Sequence, residues 1–200
     1  MNLYALHNDP HSLIGNDKRI LIPDIAWNEF EQDRRDGVAD TSKYLPGILN
    51  SPKTAFKFAE RIIKGKWPEA ESIIAQDAEA SHNYAEYILN GRFKQGEPAI
   101  ITDPHWSSWY ASGILRQRWP EAEPNILKDP RVAVRYACDT IKDRWPEAEP
   151  YIAKDAVQAF NYYTRVYKPV MGPGRWYEAE PALKADHEMW LRYTYRIDDK

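Results

Sequence analysis

Pairs of glutamates recur along this chain: Glu69 and Glu71, Glu121 and Glu123, Glu147 and Glu149, Glu178 and Glu180. Two carboxylates so close are the raw material of general acid–base catalysis, one protonated and one ionised. Each pair, however, sits in a string that opens with a cation: KWPEAES (66–72), RWPEAEP (118–124 and again 144–150) and RWYEAEP (175–181). A single active site has no use for its acid–base pair rewritten along the chain with a cation beside each copy, so a structural duty is expected. His7 and His11 stand four apart with Asp9 between them, the spacing of a helical metal pair. Pro10 breaks the helix that would align them, and no metal is expected there. Cys138 has no histidine at catalytic spacing, and the chain holds no phosphate-loop, GxSxG, HExxH or CxxC motif. No cofactor and no catalytic residue is expected, and the chain reads as not an enzyme. The enzymatic alternative would gather His7, His11, Asp9 and Asp24 into a pocket of the N-terminal segment.

The composition describes a folded chain. Among 200 residues 43% are apolar, and the eight Trp and thirteen Tyr exclude the aromatic-poor profile of disorder. The net charge of −3 argues against a dedicated DNA binder, and all of the excess lies in residues 1–50. The single cysteine excludes an internal disulfide framework and fits a reducing compartment. No apolar run approaches membrane-spanning length and the start lacks a secretory pattern, so the expected location is cytoplasmic, with no membrane partner.

Laid out at a period of 26 residues, the chain resolves into five lines, 51–76, 77–102, 103–128, 129–154 and a stretched 155–185, followed by a fragment, 186–200. Each repeat reads as two helices. The first opens on Ser51, Asp77, Asp103, Asp129, Asp155 or Asp186, all good N-cap residues. Apolar or small residues at repeat positions 5, 8, 9, 12 and 13 form the expected buried stripe. A basic residue (Lys64, Arg116, Lys142, Lys168) suits the negative end of the helix dipole, and Gly65 and Gly91 suit a helix end.

The recurrent string fits the second helix. Pro68, Pro120 and Pro146, at position 18, are expected in its first turn, where a missing N–H costs nothing. A second Pro at position 22 should limit it to a turn or two. The aromatic at position 17 (Trp67, Phe93, Trp119, Trp145, Trp176) is expected to wedge between repeats. The cation at position 16 is placed to pair with the glutamate of position 21 (Glu71, Glu97, Glu123, Glu149, Glu180), and Ile at position 24 supplies a buried contact. Neither helix can bury its apolar face alone, so repeats must stack. The expected fold is all-α: a right-handed α-solenoid of short helix pairs. Residues 1–50 form an irregular N-terminal cap with one helix (25–36, Trp27 and Phe30 on one face) and a degenerate half-repeat, LPGILNS. Residues 186–200 form a C-terminal capping helix.

What varies between repeats is the better guide to binding. Positions 4, 7 and 11 of the first helix lie away from the expected stripe and line up into a ridge rich in Trp, Tyr and Arg, the residues that dominate interface hot spots. Its candidate contacts are Lys57, Arg61, Tyr87, His105, Trp106, Trp109, Arg135, Arg165, Arg192 and Arg196. The KPVMGPGR insertion (168–175) of the fifth repeat is expected to be a loop, with Val170, Met171 and Gly172 as possible contacts.

Strings of the form DPxxAxxYAxxxIKxRWPEAEPxI resemble a tandem repeat found in proteins of tailed bacteriophages and of some bacteria. The resemblance covers residues 51–200. It carries no assigned activity; it implies a phage-type origin and a life in the bacterial cytoplasm. The expected function is therefore non-catalytic binding of another protein, a bacterial host factor such as a defence component, which the chain would inhibit or modulate. Single-stranded nucleic-acid binding, with stacking aromatics and a basic residue per repeat, is the alternative.

Overall fold

A computed structural model describes residues 18–198 apart from residue 39. His7, Asp9 and His11 lie outside the described residues. All described elements are helical, and the chain divides into two compact units, Met1–Ala99 and Ile100–Lys200.

In the first unit a 3-10 turn, Lys18–Leu21, leads into α1 (Pro23–Arg35), whose Trp27 and Phe30 are buried. A second 3-10 turn, Ser42–Tyr44, precedes α2 (Leu45–Leu49). Gly47 is required here: a Cβ on it would fall 1.9 Å from the Ile20 carbonyl oxygen and 2.6 Å from the Ala26 methyl. The unit continues with α3 (Pro52–Phe58), α4 (Pro68–Ile74), α5 (Ala78–Asn83) and, after the 3-10 turn Lys94–Gly96, α6 (Glu97–Ile100). Phe30 of α1 meets Phe58 of α3 at 5.3 Å between ring centroids.

The second unit comprises α7 (Pro104–Trp109), α8 (Glu123–Ile126), α9 (Pro130–Tyr136), α10 (Glu149–Ile152) and α11 (Ala156–Tyr162). It closes with α12 (Lys168–Met171), α13 (Glu180–Ala185) and α14 (His187–Asp198). Within it α7 packs on α9, α9 on α11, and α11 on α14.

The first helices share an anatomy, with aspartate caps from the second repeat on; in the first, Ser51 precedes α3 but its side chain makes no capping bond. Asp77, Asp103, Asp129, Asp155 and Asp186 accept backbone N–H bonds through their side chains, satisfying orphan donors of the first turn. The α-helix then opens into a π turn: Ala59–Ile63, Tyr84–Leu89, Tyr110–Leu115, Ala137–Ile141 and Tyr163–Tyr167. Lys64, Asn90, Arg116 and Lys142 follow in the left-handed conformation, with φ of 56, 49, 54 and 58°. The sequence places the helix end on Gly65 and Gly91; the structure puts the left-handed residue one position earlier, on a side chain that pays for it. In the fifth repeat Lys168 keeps a right-handed φ of −61° and the helix runs on to Met171. The insertion is thus chiefly an extra helical turn rather than a loop, ended by Gly172 at φ 82°.

The second helices correct the expected use of proline. Pro68 does open α4. In the third and fourth repeats Pro120 and Pro146 begin a turn, and the α-helix starts three residues later at Glu123 and Glu149. There the position-22 prolines, Pro124 and Pro150, stand in the first turn, so they start the helix rather than limit it. Ile74, Ile100, Ile126, Ile152 and Leu183, all at position 24, are completely buried, as is Ile48 at the matching place of LPGILNS.

Candidate functional site

The repeated string forms a four-residue joint across the boundary between repeats. The position-17 tryptophan is buried, with Trp145 at 0% and Trp176 at 1% exposure, and its indole packs on the position-8 aromatic of its own repeat. The ring centroids are 5.0–5.3 Å apart for Phe58 and Trp67, Tyr84 and Phe93, Tyr110 and Trp119, Tyr136 and Trp145, and Tyr162 and Trp176. Its backbone N–H donates to the tyrosine hydroxyl of the following repeat: Trp67 to Tyr84 (2.9 Å), Trp119 to Tyr136 (2.6 Å), Trp145 to Tyr162 (2.7 Å) and Trp176 to Tyr193 (2.5 Å). The same hydroxyls donate to the position-21 carboxylate, Tyr84 to Glu71 (3.0 Å), Tyr136 to Glu123 (3.1 Å) and Tyr162 to Glu149 (2.9 Å). An arginine then grips that carboxylate with two bonds, Arg118 on Glu123 at 2.9 and 2.8 Å and Arg144 on Glu149 at 2.8 and 2.6 Å. Arg92 with Glu97 and Arg175 with Glu180 repeat the pairing.

Burial, foremost, together with the facing carboxylate, lifts the tyrosine hydroxyls: Tyr84 and Tyr193 rise to about 12, and Tyr136 and Tyr162 also lie well above the ordinary range. The Arg175 hydrogen bond holds the Glu180 carboxyl below the usual carboxylate range. The Tyr136 and Tyr162 hydroxyls thus each bond a tryptophan N–H and a glutamate carboxylate at once, which ties one repeat to the next. The position-19 glutamates, Glu69, Glu121, Glu147 and Glu178, are exposed. From spacing alone the position-8 tyrosines read only as core. The signal was available: the sole position-8 residue without a hydroxyl, Phe58, follows the half-repeat that has no tryptophan string to cap.

The ridge is narrower than the spacing predicts. Position 4 lies one helical turn before the buried position 8 and goes inward with it: Thr54, Ala80, Val132 and Met189 are buried, and Trp106 is half-buried. Positions 7 and 11 carry the accessible groups. In the first unit these include Lys57, Arg61 and Tyr87; Arg61 lies 3.6 Å from Glu31 and 5.8 Å from the Trp27 ring, and Tyr87 is 58% exposed. In the second unit they converge. Trp109, 40% exposed, stands edge-on to Trp106 at 4.9 Å, and the Arg135 guanidinium lies 5.0 Å from its ring centroid. His105 sits 6.2 Å from Trp109, with Nδ1 3.5 Å from an Arg135 nitrogen and Nε2 3.6 Å from Asp129. Burial draws the Arg135 guanidinium below its ordinary value. Arg165 approaches Asp139 at 3.8 Å, while Arg192 pairs with Glu188 at 2.6 Å along α14. The Arg196 carbonyl accepts from Lys168 Nζ at 2.6 Å.

Val170 and Met171 are exposed on α12. The Met171 sulfur lies 3.2 Å from Arg144, whose guanidinium covers the Tyr167 ring at 4.8 Å, so α12 shields a joint. Burial raises the Cys138 thiol above its ordinary value, away from nucleophile character. Among the described residues no cluster of His, Cys, Asp and Glu could hold a metal ion, and no helix is long and apolar enough to cross a membrane. No family model, curated protein or solved structure matches the chain.

Proposed function

We propose that this chain is a non-catalytic α-solenoid that binds another protein through the position-7 and position-11 face of its first helices. The observation that carries the reading is the Trp109 cluster. A large aromatic is left 40% exposed, oriented by Trp106 and covered on one face by Arg135, at positions on which the joint makes no demand. Held aromatics and arginines lose little entropy on binding and supply hot spots. The resemblance of the repeat to those of tailed phages points to a host factor as the partner and to inhibition or modulation as the outcome. Asp129 beside His105 and Asp139 beside Arg165 favour a protein over a phosphate backbone.

Affinity purification from phage-infected bacteria tests it, comparing the native chain with Trp109→Ala combined with Arg135→Glu. The expected result is one stoichiometric protein partner, lost in the variant while the melting temperature is kept. A partner retained by the variant, or binding that is nucleic acid and falls steeply with salt, overturns it.

A further inference from the structure

The second helices of the Ile100–Lys200 unit carry a feature separate from the ridge. Two neighbouring grooves, of about 610 and 590 Å³, lie one repeat apart and share Lys154 on their rims. Leu127, Pro130 and Tyr151 line the first, and Pro150, Ala153 and Pro181 the second. Tyr151 is 48% exposed, with the Lys154 ammonium 5.6 Å from its ring centroid. Lys128 occupies in the third repeat the position that Lys154 occupies in the fourth, and both are exposed. The acids at the grooves are largely committed: Glu149 to Arg144 and Tyr162, and Asp155 to the N-cap of α11. Glu178, exposed at the far groove, is the exception.

The ligand must therefore place an apolar group in each groove and an acid near each lysine, at the spacing of one repeat. Packed helices lie roughly 8–10 Å apart. A polyproline II strand rises about 3.1 Å per residue with three residues per turn, so every third side chain returns to the same face after roughly 9.3 Å. A β-strand repeats its faces at roughly 6.6 Å and falls short, and an α-helix reaches a comparable spacing only over two turns, roughly 10.5 Å, beyond the range. Aromatic-lined grooves are also the surfaces that read this conformation, and Tyr151 supplies the exposed ring of the first groove. We propose that the second-helix face of residues 124–182 binds an extended, proline-containing peptide with acidic side chains three residues apart, which face Lys128 and Lys154. Glu178 at the far groove disfavours a third acid in the series. This reading stands whether or not the ridge binds a partner.

The test is fluorescence anisotropy with a labelled twelve-residue peptide of four Glu-Pro-Leu triplets and the full chain. Binding in the micromolar range is expected. Lys128→Glu combined with Lys154→Glu should weaken it by at least about tenfold, the loss expected when two charge pairs become repulsive, whereas Lys94→Glu should change it less than about twofold. Both substituted lysines are exposed, and a peptide of Lys-Pro-Leu triplets should bind the doubly reversed variant better than the native chain, which shows that the variant is folded. No binding, binding indifferent to the lysine reversal, or equal binding of a peptide with Glu at every second residue would overturn the proposal. So would tighter, lysine-dependent binding of a twelve-nucleotide oligo-dT, which would make the lysines phosphate contacts.

Discussion

The tyrosine hydroxyl at position 8 does more than its burial suggests. It accepts from the buried Trp N–H of one repeat and donates to a carboxylate already held by arginine, so its removal strands two groups at once. Tyr136→Phe keeps the ring and is expected to cost about 1–3 kcal/mol, the penalty for leaving the Trp119 N–H without its partner. Urea denaturation measures it; a stability unchanged within error would show that the hydroxyl only fills space. The indole beside it behaves differently. Trp145 Nε1 is buried without a hydrogen-bond partner, and the second repeat places Phe93 at the same position. Trp145→Ala should cost about 3–5 kcal/mol through the cavity it leaves. Trp145→Phe should cost under about 1.5 kcal/mol, because the lost volume is partly offset by removing an unsatisfied donor. Thermal or urea melts of the two variants separate packing from polarity. The Arg–Glu pairing and the buried tryptophan were legible as residue types at a fixed offset. The hydroxyl was not, because a tyrosine on an apolar stripe looks the same whether its oxygen is used or merely tolerated.

Among the elements, the aspartate caps and the position-24 anchor could be read directly, since each is a local demand written in one residue type. The π turn could not. Its i→i+5 bonding fits an extra residue into the turn, so a stripe drawn at 3.6 residues per turn misjudges the positions within it: Thr140 and Ile141 are only half-buried. The left-handed residue that ends the turn also escaped, because lysine, arginine and asparagine there look like dipole partners. A non-glycine side chain in that conformation costs roughly 1 kcal/mol or more. Lys142→Gly relieves that strain at the expense of a more flexible unfolded chain, and a gain of up to about 1 kcal/mol is expected. A loss of stability in the same melt would mean that the Lys142 side chain makes a contact worth more than the strain.

For the molecule as a whole, the joints make stability depend on tyrosines staying protonated. Tyr84 and Tyr193 ionise near 12 in the folded chain against 10.0 when exposed, and Tyr136 and Tyr162 are shifted the same way. A group whose folded pKa is raised contributes fully below its unfolded value and loses that contribution as pH climbs through the folded one. Stability should hold up to about pH 10 and fall steeply between there and pH 12. Exposed tyrosines such as Tyr87 and Tyr151 add their own tyrosinate absorbance, so circular dichroism against pH is the check; helices intact beyond about pH 12 would contradict the buried hydroxyls. The period of 26 made the architecture of each repeat readable, whereas the grooves of the second-helix face depend on which side chains stop short of each other, which no spacing records. The joint has one more consequence. Its parts are divided, with tryptophan N–H and glutamate on one repeat and tyrosine on the next, yet the offsets of 17 and 13 residues to the tyrosine recur for Tyr84, Tyr136 and Tyr162. A gene that duplicates or deletes a whole repeat therefore inherits a working seam. Excising 129–154 would bring Tyr162 to Trp119 in the place of Tyr136, and the chain could gain or shed repeats by recombination without redesigning what holds it together.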